Sequence, residues 1–301
     1  MSSKPLLVID IGGTHLKFGA IHGDETRVLG QHFPTSSLRN EDPIGSLAAL
    51  IRQASLALNI EPAAVVSTIP GFLDPDHDLV HFAGNIPQFR NVRVASALTA
   101  RLGLPVVLER DSVMCLQGEW LSGAARGANH LLGLFFGTGV GGAFLQNGQP
   151  FRGAGYALEI GNMPFKGEGR KHENMRDDCL EAYVSGRALL GIATRHGVPI
   201  TEVFALQDST PVLAKEITKF LLDFSIAIGI GVALFSPDTI LLGGGICEMK
   251  GFPREQMASM VEANAPFEEM GKKLDLRWAA LGWEAVLIGA RQAAAAAGIG
   301  I

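Results

Sequence analysis

The stretch LGLFFGTGVGGAFLQNG, residues 132–148, decides the fold. Its apolar residues through Phe136 predict a buried strand, and the glycines that follow predict a tight turn. A second apolar run then leads into Asn147-Gly148, a dipeptide typical of a β-hairpin turn. Glycines at this density allow backbone N–H groups to face an oxyanion at close range, so the turn is a candidate phosphate site. An ordinary hairpin with generous turns is the alternative interpretation.

A second stretch, LLVIDIGGTHLKFGAI at residues 6–21, has the same form. Here Asp10 lies near the end of the predicted strand, and Thr14 follows the glycines. The two glycine turns are about half a chain apart. Together they predict two similar domains that hold one polyphosphate between them.

The composition is that of a globular protein. The chain has 301 residues, of which 47% are hydrophobic and 18% charged, enough for a large core and too apolar for disorder. A net charge of −5 argues against a nucleic-acid surface, which needs a basic face. No apolar run approaches the ~20 residues of a membrane span, and the short apolar run after Lys4 is too little for a signal peptide. Three scattered cysteines, Cys115, Cys179 and Cys247, favour the cytoplasm over a disulfide framework.

The remaining pattern predicts two α/β domains. Residues 28–33 read as a third strand, Asp42-Pro43 begins an amphipathic helix, and residues 198–206 read as a helix. A small, polar connection at residues 123–129 is the preferred boundary. We therefore predict a smaller N-terminal domain of residues 1–122, joined by the C-terminal helix 286–301, and a larger C-terminal domain of residues 123–285.

One further acidic residue stands where chemistry is expected. Residues 105–109 predict a strand that ends at Arg110-Asp111, and α/β proteins place catalytic groups at the carboxyl ends of such strands. The alternative is that Asp111 only caps the helix that begins near Ser112. The residues alone leave both readings open.

Gly137, Gly139 and Gly142 also satisfy the G-x-G-x-x-G fingerprint of dinucleotide-binding folds. That fingerprint needs a helix directly after the glycines, whereas here an Asn-Gly hairpin follows within six positions. Glu159 falls at a plausible distance for a ribose contact, so an NAD-dependent enzyme stays a weaker alternative. Neither a Walker A loop nor the protein-kinase signatures occur. An ATP site built on two hairpins remains.

Taken in order, the motifs resemble those of the ROK family of sugar kinases along essentially the whole chain. They are Asp10-Ile-Gly-Gly-Thr14, Pro70-Gly71, Asn85-Ile-Pro87, Asp111, Gly137-Thr-Gly-Val-Gly-Gly142, Glu159-Ile-Gly161, Cys179-Leu-Glu181 and Gly243-Gly-Gly245. The resemblance implies an α/β, two-domain actin-like ATPase (ribonuclease H-like) fold with an interdomain cleft. Most members carry Asn-Asp where this chain has Arg110-Asp111. Together with Phe252-Pro-Arg-Glu255, that pair looks most like the allose kinases of the family.

The resemblance implies transfer of a phosphoryl group from ATP to the 6-hydroxyl of a hexose, such as allose, glucose or an N-acetylhexosamine. Asp111 is the implied general base, and Asp10 is implied to lie near Mg²⁺, through water. The implied ATP and phosphate ligands are Asp10, Gly12, Gly13, Thr14, Lys17, Gly137, Thr138, Gly139, Gly243, Gly244 and Gly245. The implied sugar ligands are Gly71, Asn85, Arg110, Asp111, Glu159, Asn162 and Glu181. A homodimer is implied as well, with no nucleic-acid or membrane partner.

The chain departs from the family at its structural zinc. Most members hold that zinc with a His after Glu-x-Gly and with three cysteines. Here Asn162 stands at the His position, and only His172 and Cys179 remain as soft ligands. A structural zinc wants four ligands, so we predict no zinc. The polar loop of residues 166–178 must then be held by other contacts, such as salt bridges or a partner subunit.

A non-catalytic sugar sensor is the second alternative, because the family includes transcriptional repressors. Those proteins carry an amino-terminal helix-turn-helix, whereas this chain reaches its first phosphate motif by Asp10. Its net charge is also acidic. With Asp111 present, the pattern favours an enzyme.

Overall fold

The computed structural model describes residues 4–300. Its strands are β1 Leu6–Ile11, β2 His15–His22, β3 Glu25–Val28, β4 Phe33–Pro34, β5 Ala64–Ile69, β6 Phe72–Leu73, β7 Leu79–Phe82, β8 Val92–Arg93, β9 Val106–Arg110, β10 His130–Phe136, β11 Val140–Gln146, β12 Gln149–Pro150, β13 Thr239–Gly243 and β14 Leu276–Trp278. Its helices are α1 Pro43–Ala57, α2 Val94–Leu102, α3 Asp111–Ser122, α4 Glu181–Val184, α5 Gly186–Arg195, α6 Pro211–Phe235, α7 Arg254–Asn264 and α8 Glu284–Ala296. Short 3-10 turns lie between some of them.

The chain divides into two compact units. The first contains the chain up to Arg126, the segment Arg152–Ala157 and the chain from Trp283 onward. The second contains Gly127–Phe151 and Leu158–Gly282. We call Arg152–Ala157 the strap. The sequence-based division assigned the strap to the C-terminal domain, whereas its contacts place it in the first unit.

Long-range polar contacts hold the strap in the first unit. Glu109 at the end of β9 is only 2% exposed, and Arg152 donates two parallel hydrogen bonds to its carboxylate, at 3.1 and 2.6 Å. A buried carboxylate needs such a partner, since an unpaired charge in the interior is very costly. At the other end of the strap, the Arg110 guanidinium donates to the Ala157 carbonyl. Neither pair leaves a signal in local sequence.

The first unit is built on a sheet with the strand order β3-β2-β1-β5-β9. Strands β1 to β3 are antiparallel neighbours, while β5 and β9 run parallel to β1. Successive residues of a strand face opposite sides of a sheet. Accordingly, Leu7 and Ile9 pack with α1 and α2, whereas Leu6 and Val8 pack with α3 and α8. Apolar layers therefore cover both faces of the sheet.

The second unit repeats this topology with the strand order β12-β11-β10-β13-β14. Strands β10 to β12 are antiparallel neighbours, and β13 and β14 run parallel to β10. In each unit the first two strands form a hairpin around a glycine turn, β1 with β2 in the first unit and β10 with β11 in the second. The prediction of two similar α/β domains, each opening on a glycine hairpin, is therefore confirmed.

Two predicted elements are wrong. The third strand lies at Glu25–Val28 and not at residues 28–33, because the chain leaves the sheet at Gly30 and only Phe33–Pro34 returns to pair with β2. Residues 198–206 contain a single 3-10 turn, Ile200–Glu202, in place of a helix. Pro199 accounts only for the later start, since a proline disfavours the helical conformation of the residue before it.

Helix α6 is long and apolar enough to cross a membrane by length and composition, and it is the one such helix in residues 4–300. Its most apolar window has a mean hydropathy of 1.8, and 61% of that window is buried inside the protein. The core helix of a globular domain passes the same test. The sequence predicts this helix but not a membrane span, and one such helix is weak evidence for a span.

Candidate functional site

Asp10 lies next to the end of β1 with its side chain 16% exposed. Thr68 on β5 donates its hydroxyl to Asp10 Oδ1 at 3.1 Å and accepts the Ile11 N–H at 2.8 Å, so it holds the carboxylate in a fixed direction. Lys17 Nζ is 3.8 Å from the other oxygen. Burial raises the pKa of Asp10 by more than Lys17 and Thr68 lower it. Asp10 is therefore an incompletely neutralised carboxylate, which suits it as a ligand for a cation.

We expect Asp10→Asn to increase the free energy of unfolding at pH 7. A carboxyl whose pKa is raised by folding loses stability as the pH rises above its ordinary value of 3.8 and through the raised pKa. The amide carries no charge to bury, and its oxygen still accepts from Thr68. Urea denaturation at several pH values measures the difference between the two proteins, which should shrink as the pH falls toward 3.8.

Asp78 provides the matched control, because its side chain is also 16% exposed and lies in the same unit. Burial raises its pKa too, but hydrogen bonds from Ser96 and Arg93 lower it by more, so the net shift is downward. Asp78→Asn should therefore decrease the free energy of unfolding at pH 7. A change of the same sign in both variants would contradict the assignment.

The first glycine turn, residues 12–14, is held from behind by Thr35. The Thr35 hydroxyl donates to the Gly12 carbonyl at 2.8 Å, and its N–H donates to the Thr14 carbonyl at 2.9 Å. Asn85 lies beside the turn, since an ideal Cβ on Gly13 would be 3.1 Å from Asn85 Nδ2. Sequence reasoning found Asn85 but missed Thr35, which no local motif marks.

Asp111 is the first residue of α3 and is exposed. Its Oδ1 accepts the N–H of the neighbouring Ser112 at 2.6 Å, but the N-cap residue of α3 is Arg110, which makes no side-chain capping hydrogen bond, so the capping interpretation of Asp111 is wrong. Strands β1, β5 and β9 are parallel neighbours, which places Asp10, Gly71 and Asp111 at one edge of the sheet. The pKa of the Cys115 thiol is raised well above its usual value by burial and then by the charges of Asp10 and Asp111. Both carboxylates therefore act on the same thiol.

Two predicted sugar ligands have structural contacts of their own. The Arg110 side chain is buried, and besides the strap carbonyl it contacts the Ser112 hydroxyl at 3.4 Å. An ideal Cβ on Gly71 would lie 2.1 Å from the Phe82 carbonyl oxygen, so only glycine fits there. The Gly71 N–H donates to Ile69. Their roles in sugar binding stay predictions.

In the second unit, the phosphate turn of residues 137–139 adjoins the glycine loop of residues 243–245. The turn is closed by a hydrogen bond from Gly137 N to Gly139 O at 2.9 Å. Gly244 has φ of +92° and packs against the Phe136 backbone, where an ideal Cβ would be 2.4 Å from the carbonyl oxygen. The residues predicted for phosphate and adenosine, Thr138 among them, therefore share one corner of this unit.

The dinucleotide alternative fails a structural requirement. The last glycine of the fingerprint, Gly142, already lies in strand β11, which pairs antiparallel with β10 along its whole length. A pyrophosphate held by a dinucleotide fingerprint needs a helix amino terminus at that place. The turn at residues 137–139 can offer backbone N–H groups but no helix dipole.

Glu181, the first residue of α4, lies against the phosphate turn. Its Oε2 accepts the Val140 N–H at 2.8 Å, and an ideal Cβ on Gly139 would be 2.3 Å from that oxygen. Gly161 is also beside the carboxylate, and it separates Ile160 from Asn162 in the 3-10 turn that follows Glu159. The predicted sugar ligands Glu159 and Asn162 thus flank a glycine that lies beside the Glu181 carboxylate, and their roles in sugar binding stay predictions.

Polar side chains hold the loop of residues 166–178. Asp178 accepts the N–H groups of Gly169 and Arg170 at 2.9 and 2.8 Å, and the Tyr183 hydroxyl at 2.6 Å. The bond from Tyr183 is the main cause that lowers the pKa of Asp178, while burial and Asp178 raise the pKa of Tyr183 to about 12. Lys166 forms an ion pair with Asp223 of α6. The predicted salt bridges are therefore present within the chain itself.

The two candidate zinc ligands have other surroundings. The His172 ring bonds to Glu181, and Cys179 is fully buried, which raises the pKa of its thiol. Within residues 4–300, no group of three or more His, Cys, Asp or Glu side chains is arranged to hold a metal ion. That no zinc binds stays a prediction.

Comparison with known proteins gives a consistent picture. The model of the ROK family matches residues 6–297. The chain is 30% identical to a β-glucoside kinase of Klebsiella pneumoniae over 259 residues, 82% of this chain and 84% of that protein. It is 30% identical to a glucokinase of Halalkalibacterium halodurans over an alignment of 315 positions, which covers 96% of this chain and 94% of that protein.

Among solved structures, the ROK hexokinase of Thermus thermophilus is 28% identical to the chain, with a TM-score of 0.77 and coverage of 97% and 98%. The shared architecture is the two-domain actin-like ATPase fold, as predicted. Since the family model and these relatives span nearly the whole sequence, the chain belongs to the ROK family.

Proposed function

We propose that the protein is an ATP-dependent sugar kinase that phosphorylates the 6-hydroxyl of a hexose. The observation that carries the proposal is the position of Asp10 and Asp111 at the carboxyl edge of one sheet, with the glycine turn of residues 12–14 directly after Asp10 and Ile11. One carboxylate there suits a cation, and the other is exposed at the end of its strand. The related β-glucoside kinase, glucokinase and hexokinase support the same class of reaction.

Asp111 is the proposed general base. Phosphoryl transfer asks mainly for positioning and charge neutralisation, with a carboxylate that orients the attacking hydroxyl. The exposed Asp111 carboxylate meets this need and keeps one oxygen bound to the Ser112 N–H, which fixes its direction. Asp10 would hold Mg²⁺ through water, since hard cations prefer carboxylate oxygens. When bound, Mg²⁺ supplies neutralisation of the phosphate oxygens.

The glycine turns are the proposed phosphate contacts, with Lys17 as a nearby positive charge. Gly243 to Gly245 would face the adenosine. Sugar hydroxyls would be bound by Asn85 and by the residues around Glu181, since each hydroxyl left unpaired costs about 1–3 kcal/mol. Homodimer formation and a cytoplasmic location stay predictions.

Fewer observations bear on which hexose is the substrate. The allose assignment depends on Arg110 and on residues 252–255, and the structure gives both a packing role. Arg110 contacts the strap. Phe252 meets Trp278 edge to face with ring centroids 5.8 Å apart, and the Arg254 guanidinium lies 5.0 Å from the centre of the same indole. None of the three relatives described above is named an allose kinase. We therefore place glucose and β-glucosides before allose as substrates.

Coupled measurement of ADP release tests the proposal. Glucose, allose, mannose, two N-acetylhexosamines and a β-glucoside form the substrate panel, with 6-deoxyglucose as the matched control. We expect ADP release with at least one hexose and none with 6-deoxyglucose, because the latter lacks the accepting hydroxyl. Sugar binding by calorimetry without any ADP release would favour the sensor instead. Reduction of added NAD by a sugar would instead support the NAD-dependent dehydrogenase.

A further inference from the structure

The polar loop of residues 166–178 is closed at its base, and its His172 side chain contacts Glu181 beside the phosphate turn. Backbone hydrogen bonds from Phe165 N to Asp178 O at 3.0 Å and from Leu180 N to Met163 O at 2.9 Å join the two ends of the loop. From this closed base the loop sends His172 to Glu181. The His172 side chain is only 5% exposed, although it comes from the most polar stretch of the chain.

Backbone donors decide where the His172 proton lies. The N–H groups of Asn174 and Met175 both donate to His172 Nδ1, at 3.2 and 3.0 Å. A nitrogen that accepts two N–H bonds carries its lone pair there, so the ring proton is on Nε2. His172 Nε2 is 3.0 Å from Glu181 Oε1 and therefore donates to it. The loop thus presents one directed donor to the carboxylate.

The two carboxylate oxygens of Glu181 have different partners. Oε2 accepts the Val140 N–H, which ties it to the end of the phosphate turn. Oε1 faces His172, with Arg187 Nη1 at 3.8 Å. Because Oε2 is committed to the backbone, the direction of Oε1 depends on two groups, the nearer His172 Nε2 from the loop and the more distant Arg187 guanidinium of α5. A change at His172 should therefore alter what Oε1 can bind without opening the phosphate turn.

We propose that His172 is a positioning residue for the sugar, acting through Glu181 Oε1, and that the polar loop is a determinant of sugar affinity. The inference rests on the proposed function, because it takes Glu181 as a sugar ligand. A purely structural role would predict that His172 matters only for folding. A positioning role changes KM for the sugar, whereas a purely structural role changes the stability of the fold.

Three variants separate the roles. His172→Phe keeps the ring volume but loses both hydrogen-bonding nitrogens, whereas His172→Gln keeps an N–H donor for Glu181. His196→Phe is the matched control, since His196 also pairs with a glutamate, Glu216 at 3.4 Å, in the same unit but away from Glu181. Steady-state kinetics for sugar and ATP are measured on each, with thermal unfolding as the check on folding.

We expect KM for the sugar to rise about tenfold in His172→Phe, the effect of losing one hydrogen bond to a charged group. KM for ATP should change less than about threefold, His172→Gln should recover most of the loss, and His196→Phe should match the wild type. Equal KM values for the sugar in the two Phe variants would overturn the inference. If the wild type phosphorylates no hexose at all, the proposed function fails instead.

A second measurement does not depend on the variants folding. The ¹⁵N chemical shifts of the wild-type histidine rings report which nitrogen carries the proton. We expect His172 to show a protonated Nε2 whose signal moves when sugar is added and stays in place when ADP alone is added. A proton on Nδ1, or a signal that sugar does not move, would contradict the proposal.

Discussion

Asp111→Asn is expected to lower kcat by about 10²–10⁴, the usual contribution of a general base. The asparagine oxygen can still accept the Ser112 N–H, so the start of α3 and the fold should survive. Sugar binding should survive largely as well, because an amide still offers polar atoms to a hydroxyl. Coupled kinetics measure the loss of turnover, and calorimetry measures sugar affinity on the same sample.

Asp42→Asn is the matched control for Asp111. Asp42 also begins a helix, with Oδ1 accepting the Gly45 N–H at 2.9 Å, and it belongs to the same unit. Its replacement removes a negative charge from a helix start and a surface pair with Arg101, which together are worth about 1 kcal/mol or less. We expect unchanged kcat. A fall under tenfold in Asp111→Asn would remove that residue from the role of base.

Gly139→Ala should raise KM for both the sugar and ATP by more than about tenfold, as expected when a hydrogen bond to a charged group is lost. The added Cβ would lie 2.3 Å from Glu181 Oε2, a distance that real Cβ atoms essentially never show. Glu181 must therefore move away, and the Val140 N–H loses its acceptor. Because one displacement disturbs both the turn and the carboxylate, both substrates should be affected. Steady-state kinetics with each substrate varied in turn provide the measurement.

Gly137→Ala lies two positions earlier in the same turn and serves as the comparison. No atom comes within 4 Å of an ideal Cβ at Gly137, and its φ is not among the positive ones. The free energy of unfolding of the Gly137→Ala variant should stay within about 0.5 kcal/mol of the wild-type value. Its KM for the sugar should not change. If Gly139→Ala behaves in the same way, the packing of Glu181 on the turn is not important for function.

Features set by a few neighbouring residues could be predicted from the sequence. The Asn147-Gly148 turn has φ values of +50° and +78°, as the dipeptide favours, and Asp42 caps α1 at the predicted start. Both hairpins and their glycine turns follow from the alternation of apolar and small residues. In each case, the physical cause lies within a few positions of the effect.

Features that depend on distant partners could not be predicted. Thr35 holds a turn some twenty residues before it in the chain, and Arg152 neutralises Glu109 from 43 positions away. At Asp111 the sequence offered a helix cap or a catalytic carboxylate, and the structure places Asp111 one residue after the N-cap, with an exposed side chain whose Oδ1 accepts the adjacent N–H. His172 was considered only as a metal ligand, because nothing local connects it to Glu181.

The strap has a consequence for attempts to divide this protein. A gene cut after codon 126 would encode every strand of the first sheet, but the product would lack both the strap and α8. Its Glu109 would be left without the Arg152 guanidinium, and one apolar layer would be open to water. The repeated topology therefore does not make the halves interchangeable parts. Any chimaera that exchanges the first unit with that of a relative must transfer three separate stretches of chain.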